Sequence, residues 1–424
     1  MKHAMKVLTT TLAISGFLLI LSCEEEEEEV EITYDSFSIE TVLSRATEQN
    51  ANPEIVRIVP GTEDKAVFVS SAVNKVTVVD YTLTNFTFGT TLSLDPGSAT
   101  AEMTSIDVSP QISGENYIAV CVAEVDCAKG KVMLVKLSDG SIVAEVEVGY
   151  NPDGTAFTKD GSYLIVACED DREDRPCKPE DRWGGSISII DLTGGVASAT
   201  LADDYLVDWA EDSEPEHCET SSDGTVICSV QETSQIVIFN TSDVPLTDDK
   251  VTIVDLPDDS NVGGEGIDAE PDGLFISPDG QYALLSNEIN GTFQMMSLPD
   301  GALLGSPYII EQDLTAPPYN IDERKSKKRT EPEECALIEK TEKLYAVLAL
   351  QESHAVVVYD VTDPANPVFD SMAPAGVDYE NDIGMGKSSI GAEGLGAHQE
   401  NGVIFSANER EGSITMYTAQ WARE

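Results

Sequence analysis

NPDGTAFTKDGSYLIVACE, residues 151–169, and EPDGLFISPDGQYALLSNE, residues 270–288, are two copies of one plan. Each opens on a turn ending in Pro-Asp-Gly, runs through a short apolar strand, reverses at Asp-Gly and returns through a second apolar strand that ends in Glu. Asp-Gly between apolar runs is a strong hairpin signal, because the tight turn needs positive φ at its centre. The plan recurs as EPEHCETSSDGTVICSVQE (214–232), EPEECALIEKTEKLYAVLALQE (331–352) and GAEGLGAHQENGVIFSANE (391–409). A third strand follows each copy: ISIIDL, IVIFN, FQMMSL, AVVVYDV and ITMY. Some units add a fourth, as in ALLG after Asp300-Gly301, and two looser units begin at Asn52 and Glu102. Seven units of four strands, roughly 50–60 residues apart, predict an all-β, seven-bladed β-propeller with four antiparallel strands per blade. The last unit supplies only three strands. An open sheet edge invites aggregation, so residues 36–42 are expected to form the missing strand and close the ring.

Outside the repeats, the N-terminus reads as an export signal. Residues 1–6 carry two lysines, residues 7–21 are mostly apolar, and Ser22 precedes Cys23. A basic start, a short apolar run and a small-residue exit fit a secretory signal rather than a stable membrane span. Ile20-Leu21-Ser22-Cys23 resembles a bacterial lipobox, which implies acylation of Cys23 and attachment to a membrane through that lipid. The expected organisation is a signal peptide over 1–22, a lipidated acidic tether over 23–35 and the propeller over 36–424. The six glutamates at 24–29 repel one another and bury nothing, so they read as a solvated spacer. Acidic residues behind a lipidated cysteine also resemble a surface-export signal, which favours the outer membrane and the cell exterior.

With 25 Lys and Arg against 77 Asp and Glu, the formal charge is −52. That field repels phosphate backbones, so nucleic acid is excluded as a partner. The basic cluster Arg324, Lys325, Lys327, Lys328 and Arg329 is flanked by acids and reads as a solvated loop. Export allows disulfides, and three bridges are expected: Cys121–Cys127, Cys168–Cys177 and Cys218–Cys228, leaving Cys335 free. Zinc is disfavoured, because no CxxC pair exists and there are four histidines.

The stretches PDGTAFTKDGSYLIVACEDD with GGSISIIDLTGG, EPEECALIEKTEKLYAVLALQESHAVVVYDVTDPANPVF, and IGAEGLGAHQENGVIFSANEREGSITMY resemble blades of the choice-of-anchor I family, exported bacterial propellers with YVTN-type repeats. The resemblance spans most of residues 52–417 and is strongest from Asp268 onward. It implies a surface protein whose anchor varies between members, and it implies no settled activity.

In a propeller, the first strand of each blade lines the channel and the second lies beside it. Acids recur at the start of first strands (Glu54, Asp153, Glu216, Asp272, Glu333, Glu393) and at the end of second strands (Glu124, Glu169, Glu232, Glu288, Glu352, Glu409). The fold is expected to gather them at one mouth. Crowded carboxylates must protonate, accept hydrogen bonds or bind a cation, and oxygen ligands suit calcium. The alternative is that they brace the blades by accepting backbone N–H bonds. Five long segments, 170–184, 203–215, 257–266, 312–330 and 374–390, fall on that same face, where a protein, glycan or small molecule is the expected ligand. No GxSxG or Gly-rich phosphate loop occurs, and His217 reads as a structural strand histidine. A monomeric binding or scaffold module is therefore the leading expectation. A metal-dependent hydrolase of the phosphoesterase kind, with the carboxylate ring holding its ions, is the alternative.

Overall fold

The structure, a computed structural model, describes residues 36–422 apart from residues 50 and 99 and the segments 125–127, 170–183, 208–212, 258–266, 315–328 and 378–389. Seven four-stranded antiparallel sheets form the blades of a β-propeller. The first strands of blades 1 to 7 are Pro53–Ile58, Ala101–Val108, Pro152–Phe157, Pro215–Thr220, Pro271–Ile276, Pro332–Lys340 and Ala392–His398. Each touches the first strand of the next blade, and Ala392–His398 touches Pro53–Ile58, so the ring is closed. Second and third strands are covered on both faces by neighbouring blades, which is why they read as continuous apolar runs. Thr225–Val230 and Val403–Asn408 are buried along their whole length. Outer strands keep one side in water, and Thr252–Asp255 is mostly exposed.

The core is a set of seams between blades rather than one central mass. Ala119, Leu134 and Val146 of blade 2 pack on Phe157, Leu164 and Val166 of blade 3. The next seam joins Ile165, Ile187 and Ile189 to Val226, Val237 and Phe239 of blade 4.

The ring closes with the N-terminal strand, as expected, but three residues further along than 36–42. Ile39–Ala46 pairs antiparallel with Ser413–Ala419, Val42 facing Tyr417. The residues just before it do a different job. Phe37 is fully buried, edge-on to Tyr345 at 5.4 Å and to Trp421 at 5.8 Å. The N–H groups of Phe37 and Ser38 each donate to the Asp370 carboxylate of blade 6 at 2.9 Å.

Cys218 and Cys228 sit directly opposite each other in blade 4 and form a disulfide, with Cα atoms 4.2 Å apart. Cys335 is a buried thiol, and so are Cys121 and Cys168, which departs from the bridges expected to Cys127 and Cys177. Those two partners lie outside the described residues. The physical reason is orientation: Cys121 and Cys168 face the same apolar seam between blades 2 and 3, and the Cys168 sulfur lies 3.8 Å from Ser188 Oγ. Most of the five long segments, and all of the basic cluster except Arg329, also lie outside the described residues. Residues 203–207, read as loop, instead complete the outer strand Thr200–Val207.

The bridge closes a loop of ten residues, for which loop entropy gives about 2–3 kcal/mol. Replacing both cysteines with serine should lower the unfolding free energy by about that much in urea titrations. An unchanged midpoint would mean that the hairpin is held by packing alone.

Candidate metal centre

The mouth of the channel is built by one repeated backbone device. In blades 1, 3, 4, 5 and 6 the first strand begins with proline followed by an acid: Pro53-Glu54, Pro152-Asp153, Pro215-Glu216, Pro271-Asp272 and Pro332-Glu333. Proline has no N–H to give the ladder, and after it the register slips by a bulge in each of these blades. The bulge takes the acid and the next residue out of the pairing. Blade 7 makes the same slip from Ala392, next to Glu393, and blade 2 from Met103, which puts Thr104 where the others have an acid.

A second repeated contact fixes which residue ends the second strand at the mouth. Glu169, Gln231, Glu288, Gln351 and Glu409 each donate their backbone N–H to the carbonyl of the residue before the strand opener, at 2.8–3.1 Å. Three expected members are corrected. Alternation along a strand turns the neighbour of a mouth residue away, so Glu232 is exposed and Gln231 lines the cavity in its place. Glu352 is buried but ion-paired to Arg410 at 2.7 Å, while Gln351 takes the lining position. Glu124 lies one residue beyond the corresponding position, Ala123, and does not line the cavity.

What results is an alternation of blades. Blades 3, 5 and 7 carry an acid at both positions (Asp153 and Glu169, Asp272 and Glu288, Glu393 and Glu409), and each follows its first acid with glycine. Those glycines are required. A methyl group at Gly154 would overlap the Glu216 carbonyl, and one at Gly273 would overlap that of Glu333. Close approach brings the acid of the next blade alongside. Asp153, Glu169 and Glu216 accordingly offer oxygens that all lie within 4.8 Å of one another, as do Glu288, Glu331 and Glu333. Gly394 abuts the Glu54 carbonyl in the same way, and Glu409 and Glu393 repel Glu54, but these three do not close into a further cluster of that kind among the described residues. Together with Glu334 and Arg410, members of these groups line a cavity of about 280 Å³.

Burial, before any neighbouring charge, pushes these acids upward. Glu54 rises to about 9 and Glu393 to about 8, each with Glu409 as a repelling neighbour. Glu216 is driven well above the carboxylate range by burial and then by Glu169 and Asp153. Glu333 is driven up by burial and by its hydrogen bond with Asp272. Amides and one cation relieve part of the crowding. Gln231 donates to Glu288 at 2.6 Å, Gln351 to Glu393, and Arg410 to Gln351. Sequence reading missed Arg410 and Glu331, although the acid before proline in Glu270-Pro271 and Glu331-Pro332 was a signal that pointed to the latter.

Below the acids the channel is plugged. Arg57 meets Glu334 at 2.7 Å, and the His217 ring stands 3.6 Å from the same carboxylate. His217 is 9% exposed and its backbone N–H donates to Ser229, so it is buried in the strand rather than solvated.

Residues 54–206 match the choice-of-anchor I domain. The match covers blades 1 to 3, short of the reach toward Tyr417 and the emphasis after Asp268 expected from the resemblance. A choice-of-anchor domain points to an exported or cell-surface protein. No curated protein matches the sequence. Solved structures with the same architecture include streptogramin B lyase (12% identity, TM-score 0.58, covering 91% of this chain and 100% of that one). Hydrazine synthase of Kuenenia stuttgartiensis is 15% identical with a TM-score of 0.58, over 92% of this chain and 97% of that one. The WD40 repeats of RRP9 are 10% identical with a TM-score of 0.62, over 90% and 100%. At such identities the likeness is one of fold alone.

Proposed function

We propose that the protein is a bacterial surface lipoprotein, anchored through Cys23, whose propeller is a binding or scaffold module stabilised by calcium at its acidic mouth. The observation that carries the calcium reading is the pair of carboxylate clusters at the 3–4 and 5–6 blade junctions, Asp153 with Glu169 and Glu216, and Glu288 with Glu331 and Glu333. The donors there are carboxylate oxygens, a hard set that suits calcium better than zinc or copper. A divalent ion would also offset the burial and the repulsion that hold Glu216 and Glu333 well above the carboxylate range. In this reading the ions brace neighbouring blades, and the long segments at that face carry recognition of a protein, glycan or small molecule.

An ion bound only by the folded state stabilises by mass action, about 2.7 kcal/mol at a hundredfold excess over Kd, or about 3 °C for a chain of this size. At fixed high ionic strength, calcium over chelator should give such a rise in Tm, with magnesium weaker because it sheds water reluctantly. Replacing Glu333 and Glu393 with Gln should raise the chelated Tm and shrink the calcium response. A wild-type protein indifferent to calcium would leave the acids as blade braces. Phosphate-ester turnover with calcium or manganese, lost in Glu333→Gln, would favour a hydrolase instead.

A further inference from the structure

The opposite mouth of the channel holds a second, larger cavity of about 630 Å³. It is walled by the hairpins that join first to second strands, and it shares only His217 and Glu334 with the acidic mouth. The Arg57–Glu334–His217 plug is therefore its floor. We propose that this cavity binds a small organic cation, an amine or amidinium carried on a flat apolar body.

Two features of the cavity select that chemistry. Its walls are apolar where the hairpins turn in, with Ile58, Pro60, Pro110, Phe275 and Pro278 presenting surface to the space. Its charges are unbalanced: five carboxylates, Glu63, Asp107, Glu219, Glu334 and Glu400, face two fixed cations. Both cations are engaged by protein carboxylates, Arg57 by Glu334 at 2.7 Å and Lys159 by Glu219 at 2.6 Å. Arg57 also donates to the Val56 and Leu395 carbonyls. Both ring nitrogens of His398 are engaged, one against the Thr62 carbonyl of blade 1 and the other accepting from Glu400 and Asn401 in its own loop. What remains is Asp107, on the first strand of blade 2. One of its oxygens accepts the Phe157 N–H at 2.7 Å, and its carboxylate lines the cavity within the field of Arg57 and Lys159 but outside salt-bridge contact with either. A cation held there offsets part of that excess negative charge beside the apolar wall residues, the arrangement in which a few polar groups orient a partly apolar ligand. The −52 charge of the chain adds a long-range attraction for any cation.

Benzamidine, benzamide and benzoate share one shape and differ in charge, so they test the class directly. Titration calorimetry in saturating calcium should show benzamidine binding, with benzamide and benzoate at least tenfold weaker. Asp107→Asn keeps an acceptor for Phe157 and should weaken benzamidine tenfold or more. The exposed rim pair Glu63→Lys and Glu400→Lys cannot disturb the core and should weaken it severalfold. Glu333→Gln with Glu393→Gln, at the other mouth, should leave benzamidine affinity unchanged whether or not calcium binds there. Absence of benzamidine binding, preference for benzoate, or full affinity in both the Asp107 and the rim variants would overturn the proposal. So would loss of binding in the Glu333/Glu393 variant, which would move the cation to the acidic mouth.

Discussion

Deleting residues 36–46 should turn a soluble folded protein into aggregate, the largest effect expected of any short change in this chain. The deletion strips Ser413–Ala419 of its only outer partner and leaves a row of unpaired backbone groups on blade 7. Exposed edges of this kind pair with other chains. It also removes Phe37 from its place between Tyr345 and Trp421, and loss of a buried phenylalanine alone costs about 3–5 kcal/mol. Propellers hold their first and last blades together through such a strand, so both ends of the ring are released at once. Size-exclusion chromatography checks the outcome, and a synthetic peptide of residues 36–46 added during refolding should restore the folded species. A deletion protein that elutes and melts like the wild type would show that blade 7 needs no fourth strand. Phe37→Ala should sit between the two, folded but weakened by those few kcal/mol.

The second large effect is a fall in stability with rising pH when calcium is chelated. Glu54 holds its proton up to about pH 9 in the folded state, whereas an unfolded glutamate releases it near 4.3. Between those values the folded chain binds more protons than the unfolded one, so stability drops as pH rises through the interval. It is fully present below the unfolded value and lost on passing the folded one. Glu393, raised to about 8, acts in the same direction. Every tenfold difference in proton affinity between the two states is worth about 1.4 kcal/mol, so the loss due to Glu54 is on the order of a few kcal/mol across the range. Glu54→Gln keeps a neutral partner for Ser71, which donates to Glu54 in the wild type. The variant should match the wild type near pH 4.5 and exceed it increasingly toward pH 9. Urea denaturation at a series of pH values reads this directly. Equal pH slopes in the two proteins would mean that water reaches Glu54 and it ionises normally.

The blades were legible because hairpin turns and doubly buried strands leave local marks: Asp279-Gly280 between LFIS and YALLSN needs no distant contact to be read. The mouth was legible only in part. Strand alternation is easy to count, but the bulge after each opening proline shifts the count, and nothing in a single unit announces it. Glu232 and Glu352 were therefore chosen where Gln231 and Gln351 line the cavity. Thr104 was invisible for the same reason, since the slip in blade 2 follows methionine rather than proline. The alternation PDG, PEH, PDG, PEE, AEG was present in the letters. Its meaning depends on which first strands touch, and that is set by ring closure. Disulfides fared similarly: Cys218 and Cys228 share a hairpin, but the Cys121 and Cys168 thiols turn into a seam between blades that lies outside any local reading.

Seven is an odd number, and a ring of seven cannot be divided into couples. The glycine contacts marry blade 3 to 4, 5 to 6 and 7 to 1, which leaves blade 2 as the bachelor. That blade is the one whose opening position holds a hydroxyl, and Thr104 Oγ1 spends it on the Pro152 carbonyl of its neighbour at 2.5 Å. The misfit between a two-blade module and an odd closure is thus absorbed at a single neutral seam. The mouth gains a direction: six blades open on an acid, and one opens on a neutral threonine.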